Sequence, residues 1–287
     1  MNKLSRPSYD DVSAIVALSG NLRTKSHAAI RSSLSVIRYN YNQYIFAEGN
    51  AFVVSPVRIS AATGAFLKGH YASPPKELKY IKEMRDKSRY LGCPMCGSLL
   101  SGTLDHVLPK EIYPEFSVFS QNLVQACQCN SLRKETLMGV GNERILHPYF
   151  DGCLSERLIT ARFEDLGPVP RVTVALSVDA AHHNYSAVSF HVREVVLKTG
   201  IVGYLSTQWG SLIRKPSLVI RSLEENPGTL IELEAALIKE RDTIDDARGG
   251  RNTWDSVFIS GLLDPVVSLW IFQSMHKPGR MANGPLA

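Results

Sequence analysis

Four cysteines in two close pairs, Cys93-Pro94-Met95-Cys96 and Cys127-Gln128-Cys129, constrain this chain more than any other feature. Two thiol pairs of this kind can converge on one metal ion, and four thiolates at about 2.3 Å suit Zn²⁺ best. The stretch between the pairs exceeds the roughly 15–20 residues of a simple zinc ribbon, so it holds structure of its own. The second pair is one residue tighter than Cys-x-x-Cys. Either its turn is tighter than usual, or one cysteine is displaced and the zinc weakly held or absent. Cys153 stands apart and reads as a small buried hydrophobe. This usage of cysteine points to metal in a reducing cytoplasm and away from disulfides.

Between and beside the pairs lie Asp105-His106, Gln121-Asn122, Asn130 and Arg133-Lys134. A histidine is suited to general-base work near neutral pH. A carboxylate such as Asp105 offers the hard oxygen that Mg²⁺ or Mn²⁺ prefers, and Asn130 offers a neutral one. Neighbours on a strand point to opposite faces, so Asp105 and His106 serve one point only if the strand ends there. Pro109, which cannot extend a ladder, makes such an ending natural.

Residues 93–134 with these motifs resemble the HNH endonucleases, the ββα-metal nucleases, in their cysteine-stapled form. The resemblance implies that His106 activates water, that Asn122 orients this histidine, and that Asn130 binds Mg²⁺ or Mn²⁺ together with Asp105. It puts Arg133 and Lys134 near the phosphate, and Cys93, Cys96, Cys127 and Cys129 on a structural Zn²⁺. It also implies a strand into Asp105, a loop, a strand at Leu123 to Ala126 and a helix from Asn130. Family habit favours DNA over RNA, cut to a 5′-phosphate and a 3′-hydroxyl. Many proteins of this type serve as effectors of anti-phage or restriction systems beside a separately encoded ATPase partner. The alternative from another class is a zinc-stabilised nucleic-acid-binding protein without catalysis.

Charge is distributed unevenly. Residues 1–90 carry 14 Lys and Arg against 6 Asp and Glu, whereas residues 91–153 carry 4 against 6. Phosphate binding draws on Lys and Arg, which makes the N-terminal third the expected nucleic-acid platform. A helix over 76–90 would show Lys76, Lys79, Lys82, Arg85, Lys87 and Arg89, and Lys79, Lys82 and Arg85 are its candidate phosphate contacts. The apolar residues Ile30, Leu34, Ile37, Tyr41 and Ile45 recur as one helical face.

The expected fold class is α+β: a basic, helical region over 1–90, an HNH unit over 91–153, and a mixed region over 154–287 serving as a partner-docking module. In the last, 157–164, 171–178 and 186–192 read as strands of a small antiparallel sheet. Helices follow over 230–248 and 254–274, the second broken at Pro265. The segments 1–10 and 276–287 read as an exposed lead-in and a loose tail. His147 and Asp151 read as a packing turn and stay outside the catalytic set. No signal peptide or membrane span is evident.

Overall fold

Asp10 opens the first helix by accepting the Ser13 N–H at 2.9 Å, a side-chain cap for an otherwise unpaired donor. In the computed structural model, which describes residues 1–87 and 92–286, this helix is α1 (Asp11–Gly20). It packs on α2 (His27–Phe46), whose buried face is Ile30, Ile37, Asn40, Tyr41 and Tyr44. Ile45, the expected inward residue, is exposed, and Tyr44 turns inward in its place. Ser60 caps α3 (Ala61–Ala72) through the Thr63 N–H. The helix expected over 76–90 is a 3-10 turn, Lys76–Leu78, followed by α4 (Tyr80–Lys87). Arg89, Tyr90 and the side chain of Lys87 lie outside the described residues.

The chain then forms a hairpin of β1 (Thr103–His106) and β2 (Leu123–Ala126), pairing Asp105 with Val124 and His106 with Leu123. One turn of helix follows, α5 (Cys129–Leu132). Strand, loop, strand and helix thus occur in the expected order, and β1 stops at His106, as Pro109 suggested.

Beyond residue 153, β3 (Ile159–Glu164) and β4 (Arg171–Leu176) make a second antiparallel pair. The third expected strand is absent: residues 185–191 are helix α6 (Tyr185–His191), continued by a π turn at Val192–Val196. Val188, Phe190 and Val192 alternate, yet Val188, Val192, Val195 and Val196 also share a helical face, and packing selects that one. Next come α7 (Ile201–Arg214), α8 (Leu230–Arg248), α9 (Trp254–Leu262) and α10 (Pro265–Met275). Thr229 caps α8, and Gly249 ends it at a left-handed φ of 64°, the conformation glycine adopts without penalty. Pro265 separates α9 from α10 at a bend of 76°. Among the described residues no single helix is long and apolar enough to cross a membrane.

Neither terminus is loose. Met1 is buried, its ammonium donates to Asn252 O at 2.8 Å, and Asn2 N–H donates to Pro94 O. Leu286 is buried as well and donates to Ile213 O. The polar composition of both segments hid single apolar anchors.

Helices combined with small antiparallel sheets make the fold α+β. Its core forms three apolar clusters: Leu104, Leu108, Phe116 and Phe119 pack with the N-terminal helices, β3 and α6–α10 form another, and the cysteines with Val107, Val124 and Phe190 a third. The hairpin therefore lies between the other two regions.

Candidate active site and cysteine cluster

His106 ends β1 with its imidazole almost wholly buried, 2% exposed. Its Nε2 lies 2.9 Å from Ser117 O. A carbonyl only accepts, so Nε2 carries the proton and Nδ1 the lone pair. Among the described residues Nδ1 has no hydrogen-bond partner, and Asp105 Oδ1 lies 3.6 Å away, beyond hydrogen-bond range. This is the tautomer and the nitrogen that a general base needs.

Asp105 is partly open, its side chain 28% exposed. Burial pushes its carboxyl pKa up, but the neighbouring His106 and Asn130 outweigh this and hold it below the usual carboxylate range. The His106 backbone N–H contributes at 2.8 Å. Asp105 therefore stays anionic at neutral pH.

The two asparagines are tied chiefly to the backbone around His106. Asn122 does not touch His106; it clamps the loop that holds it. Its Oδ1 accepts the Leu108 N–H at 2.8 Å, and its Nδ2 donates to Leu108 O and Phe116 O. Ser117 O, one residue on, holds the imidazole. Asn130 donates from Nδ2 to His106 O at 2.9 Å and receives Arg133 Nε–H on Oδ1 at 2.6 Å. One lone pair of that oxygen remains for a cation. Asp105 with one amide lone pair is a sparse donor set, which suits Mg²⁺ or Mn²⁺, ions that keep waters and lean on substrate phosphates.

Arg133 corrects an expectation. It is 1% exposed, and its guanidinium donates to His106 O, Val107 O and Thr136 O besides Asn130. Burial brings its pKa down to about 10 against the pull of Asp105, so it stays charged but faces inward, away from any phosphate. Lys134 is exposed.

The His106 ring is met by Tyr71, with ring centroids 4.3 Å apart and edge-on. Tyr71 donates its hydroxyl to Leu104 O. The Arg85 guanidinium lies 4.8 Å from the Tyr71 centroid and donates to Tyr71 O at 2.5 Å, while Lys110 Nζ lies 5.7 Å from the same centroid. Within the basic helix, Arg85 is thus brought onto Tyr71, the ring that meets the imidazole; Lys79 is exposed and pairs with Glu83 at 3.9 Å, and Lys82 is exposed. Sequence alone missed Tyr71 and Lys110. Lys110 follows the Asp105-His106 motif closely enough to have been considered, but nothing local marks Tyr71.

At the other end of the hairpin the four cysteines meet. Their sulfurs lie within 4.8 Å of one another, with Cys93–Cys129 at 3.6 Å and Cys96–Cys127 at 3.4 Å. Zn–S bonds of about 2.3 Å in a tetrahedron set sulfurs roughly 3.8 Å apart. The cluster can therefore hold a structural metal such as zinc. The tight second pair is accommodated without strain: Gln128 takes ordinary helical angles, φ −61° and ψ −13°, so Cys127 precedes the first turn and Cys129 starts it. Backbone N–H groups of Cys127 and Cys129 point at sulfurs of Cys93 and Cys127. Hydrogen bonds from Cys129, Cys93 and Cys96 favour the thiolate at Cys127.

No family model matches this chain, and no solved structure does. A partial relative exists. Protein ea31 of Escherichia phage lambda is 42% identical over 62 residues, which cover 21% of this chain and 21% of ea31. The match thus spans about one fifth of the relative's length.

Proposed function

We propose that this protein is a metal-dependent HNH endonuclease that cuts DNA, with His106 as its general base. The observation that carries this reading is the lone pair of His106 Nδ1, buried beside the anionic Asp105 without a hydrogen-bond partner among the described residues. A buried acceptor left unpaired costs about 1–3 kcal/mol, and such costs concentrate where a group has work to do.

In this reading His106 Nδ1 takes a proton from the attacking water, Nε2–H stays on Ser117 O, and Asp105 faces the imidazolium that results. Mg²⁺ or Mn²⁺ held by Asp105 and the remaining lone pair of Asn130 Oδ1 would supply Lewis acidity at the phosphate. Arg85 and Lys110, gathered on Tyr71, meet the phosphate backbone, and Lys79, Lys82 and Lys134 extend that contact outward. Water attacks phosphorus and the bond to the 3′ oxygen breaks, leaving a 5′-phosphate and a 3′-hydroxyl.

Similarity to a phage protein fits a role in anti-phage defence or restriction; an ATPase partner rests on the HNH resemblance alone. The rival reading is a zinc-stabilised nucleic-acid binder without catalysis, and the small exposure of His106 favours it. Plasmid incubated with the protein and Mg²⁺ or Mn²⁺ separates the two. Cutting that disappears in His106→Ala supports the nuclease; an intact plasmid under both metals, with DNA binding retained, supports the binder.

A further inference from the structure

Asn122 is held by a chain of hydrogen bonds whose direction can be read atom by atom. The Tyr149 N–H donates to His147 Nδ1 at 3.1 Å, so Nδ1 bears no proton and Nε2 does. Nε2 then donates to the Tyr44 hydroxyl at 2.9 Å. That leaves the single hydroxyl hydrogen for Asn122 Oδ1, also at 2.9 Å. The amide hydrogens of Asn122 are thereby turned to Leu108 O and Phe116 O.

All of these side chains are buried, Tyr44 and Asn122 at 0% exposure and His147 at 1%. Rotating the Asn122 amide by half a turn would face its N–H groups with the Leu108 N–H and the Tyr44 hydroxyl, and its oxygen with two carbonyls. The chain forbids that rotation. Burial also brings the His147 pKa down to about 3, so the direction persists through neutral pH. Gly49 is part of the same construction: at its φ of 65°, a Cβ would lie 2.5 Å from His147 Cδ2.

We propose that Tyr44 and His147 are positioning residues for His106, acting through the orientation of the Asn122 amide. The effect passes along the backbone. Asn122 fixes Phe116 O, and Ser117 next to it presents the carbonyl that receives His106 Nε2–H. The proton on Nε2 is what leaves Nδ1 free to accept one. If Asn122 loses its hold, Ser117 O shifts and the Nδ1–H tautomer, which cannot act as a base, becomes populated. The proposal rests on the reading of His106 as general base, but its structural half stands by itself.

Nitrogen-15 NMR of the imidazoles, on the full chain, reads the tautomer directly, with the His106 signals assigned by their loss in His106→Ala. Wild type should show His106 only as the Nε2–H form. Tyr44→Phe and His147→Leu should give a mixture of tautomers. His147→Gln, whose amide retains an N–H for Tyr44, should stay close to wild type. In plasmid cleavage the first two variants should lose about 10–100-fold in kcat, as removal of an imidazole's fixing partner typically does, with KM unchanged. A single Nε2–H form in folded Tyr44→Phe and His147→Leu overturns the proposal, even where Tm falls. Should Tyr44→Phe not fold, the contrast between His147→Leu and His147→Gln decides alone. A tautomer shift as stated in a protein that cuts nothing keeps the positioning role and removes the general-base reading. Wild-type cutting with unshifted tautomers does the reverse.

Discussion

The two ends of one short hairpin are finished in opposite ways. At the cysteine end every ligand atom faces the others, and C-terminal elements brace the result: His191 receives the Leu146 N–H and donates to Met95 O, and Trp254 donates to Cys96 O. At the Asp105–His106 end N-terminal elements do the bracing, through Tyr44 and Tyr71, and Asp105 alone of the pair stays partly exposed. This end offers one carboxylate, one unpaired imidazole nitrogen and two nearby cations. A closed ligand set stabilises the fold when metal binds, whereas an unpaired buried group costs stability. The hairpin joins an end that a metal would stabilise to an end whose unpaired buried nitrogen costs stability.

The largest expected effect is at the closed end. Cys93→Ser or Cys96→Ser should remove zinc and lower Tm by about 10 °C. A chain of this size moves by roughly 2–4 °C per kcal/mol, and a third of the roughly 10–16 kcal/mol of zinc binding in small fingers is enough. Elemental analysis that finds no zinc in folded wild type would refute this. At the Asp105–His106 end the ranking reverses. His106→Ala should slow cutting by about 10²–10⁴ while Tm moves by a few degrees at most. Wild-type cleavage by that variant would remove His106 from the chemistry.

The two ends are unequally legible in the sequence. The cysteine pairs, Asp105-His106 and Asn130 stand out because their spacing is local, and the hairpin and α5 fall where the resemblance built on them puts them, α5 one residue early. What Asn122 and Arg133 do is not legible there, because their partners come from elsewhere. Asn122 takes its direction from Tyr44 and His147, 78 residues upstream and 25 downstream. Arg133 has the sequence context of a surface cation, yet backbone carbonyls of β1 and its loop enclose it. The alternation at 186–192 is real and still becomes a helix, because apolar residues at both periods are present and tertiary packing chooses.

A smaller effect separates cations that face substrate from the one that serves the fold. Replacing Lys79, Lys82 and Arg85 together by Glu should weaken DNA binding and flatten its salt dependence, by about 0.9 in log–log slope for each phosphate no longer neutralised. Arg85 and Lys110, which share Tyr71 beside His106, should matter more singly than Lys79, which pairs with Glu83. Arg133→Ala should instead lower Tm and leave the slope as it was. Affinity measured against salt for these variants tests this, and a slope that moves with Arg133 alone would reverse the assignment.

The smallest effect concerns pH and the N-terminal brace. Asp11, at the start of α1, accepts the Ser120 N–H at 2.8 Å and the Ser120 hydroxyl at 2.6 Å, two residues before Asn122. Burial pushes its pKa up to about 6, further than the hydrogen bonds from Ser120 and Tyr80 pull it down, and Asp10 nearby adds to the rise. A carboxyl with a raised folded-state pKa binds its proton more tightly in the native chain than in the unfolded one. Its contribution is therefore largest below about pH 4 and is lost as pH rises through about 6. Two pKa units correspond to at most about 3 kcal/mol, and other groups titrating in the same window add their own slopes. Asp11→Asn keeps one acceptor for Ser120 and removes the charge, so the stability gap between variant and wild type should move in the variant's favour from pH 4 to pH 7. Zinc binding by the four cysteines also weakens in acid, because protons compete for the thiolates, but it does so in both proteins alike, so the gap between them reads Asp11. Urea denaturation of both proteins at pH 4, 5, 6 and 7 checks it. Parallel pH curves for the two would mean that Asp11 is ionised in the fold at no cost, and that the N-terminal brace is insensitive to its charge.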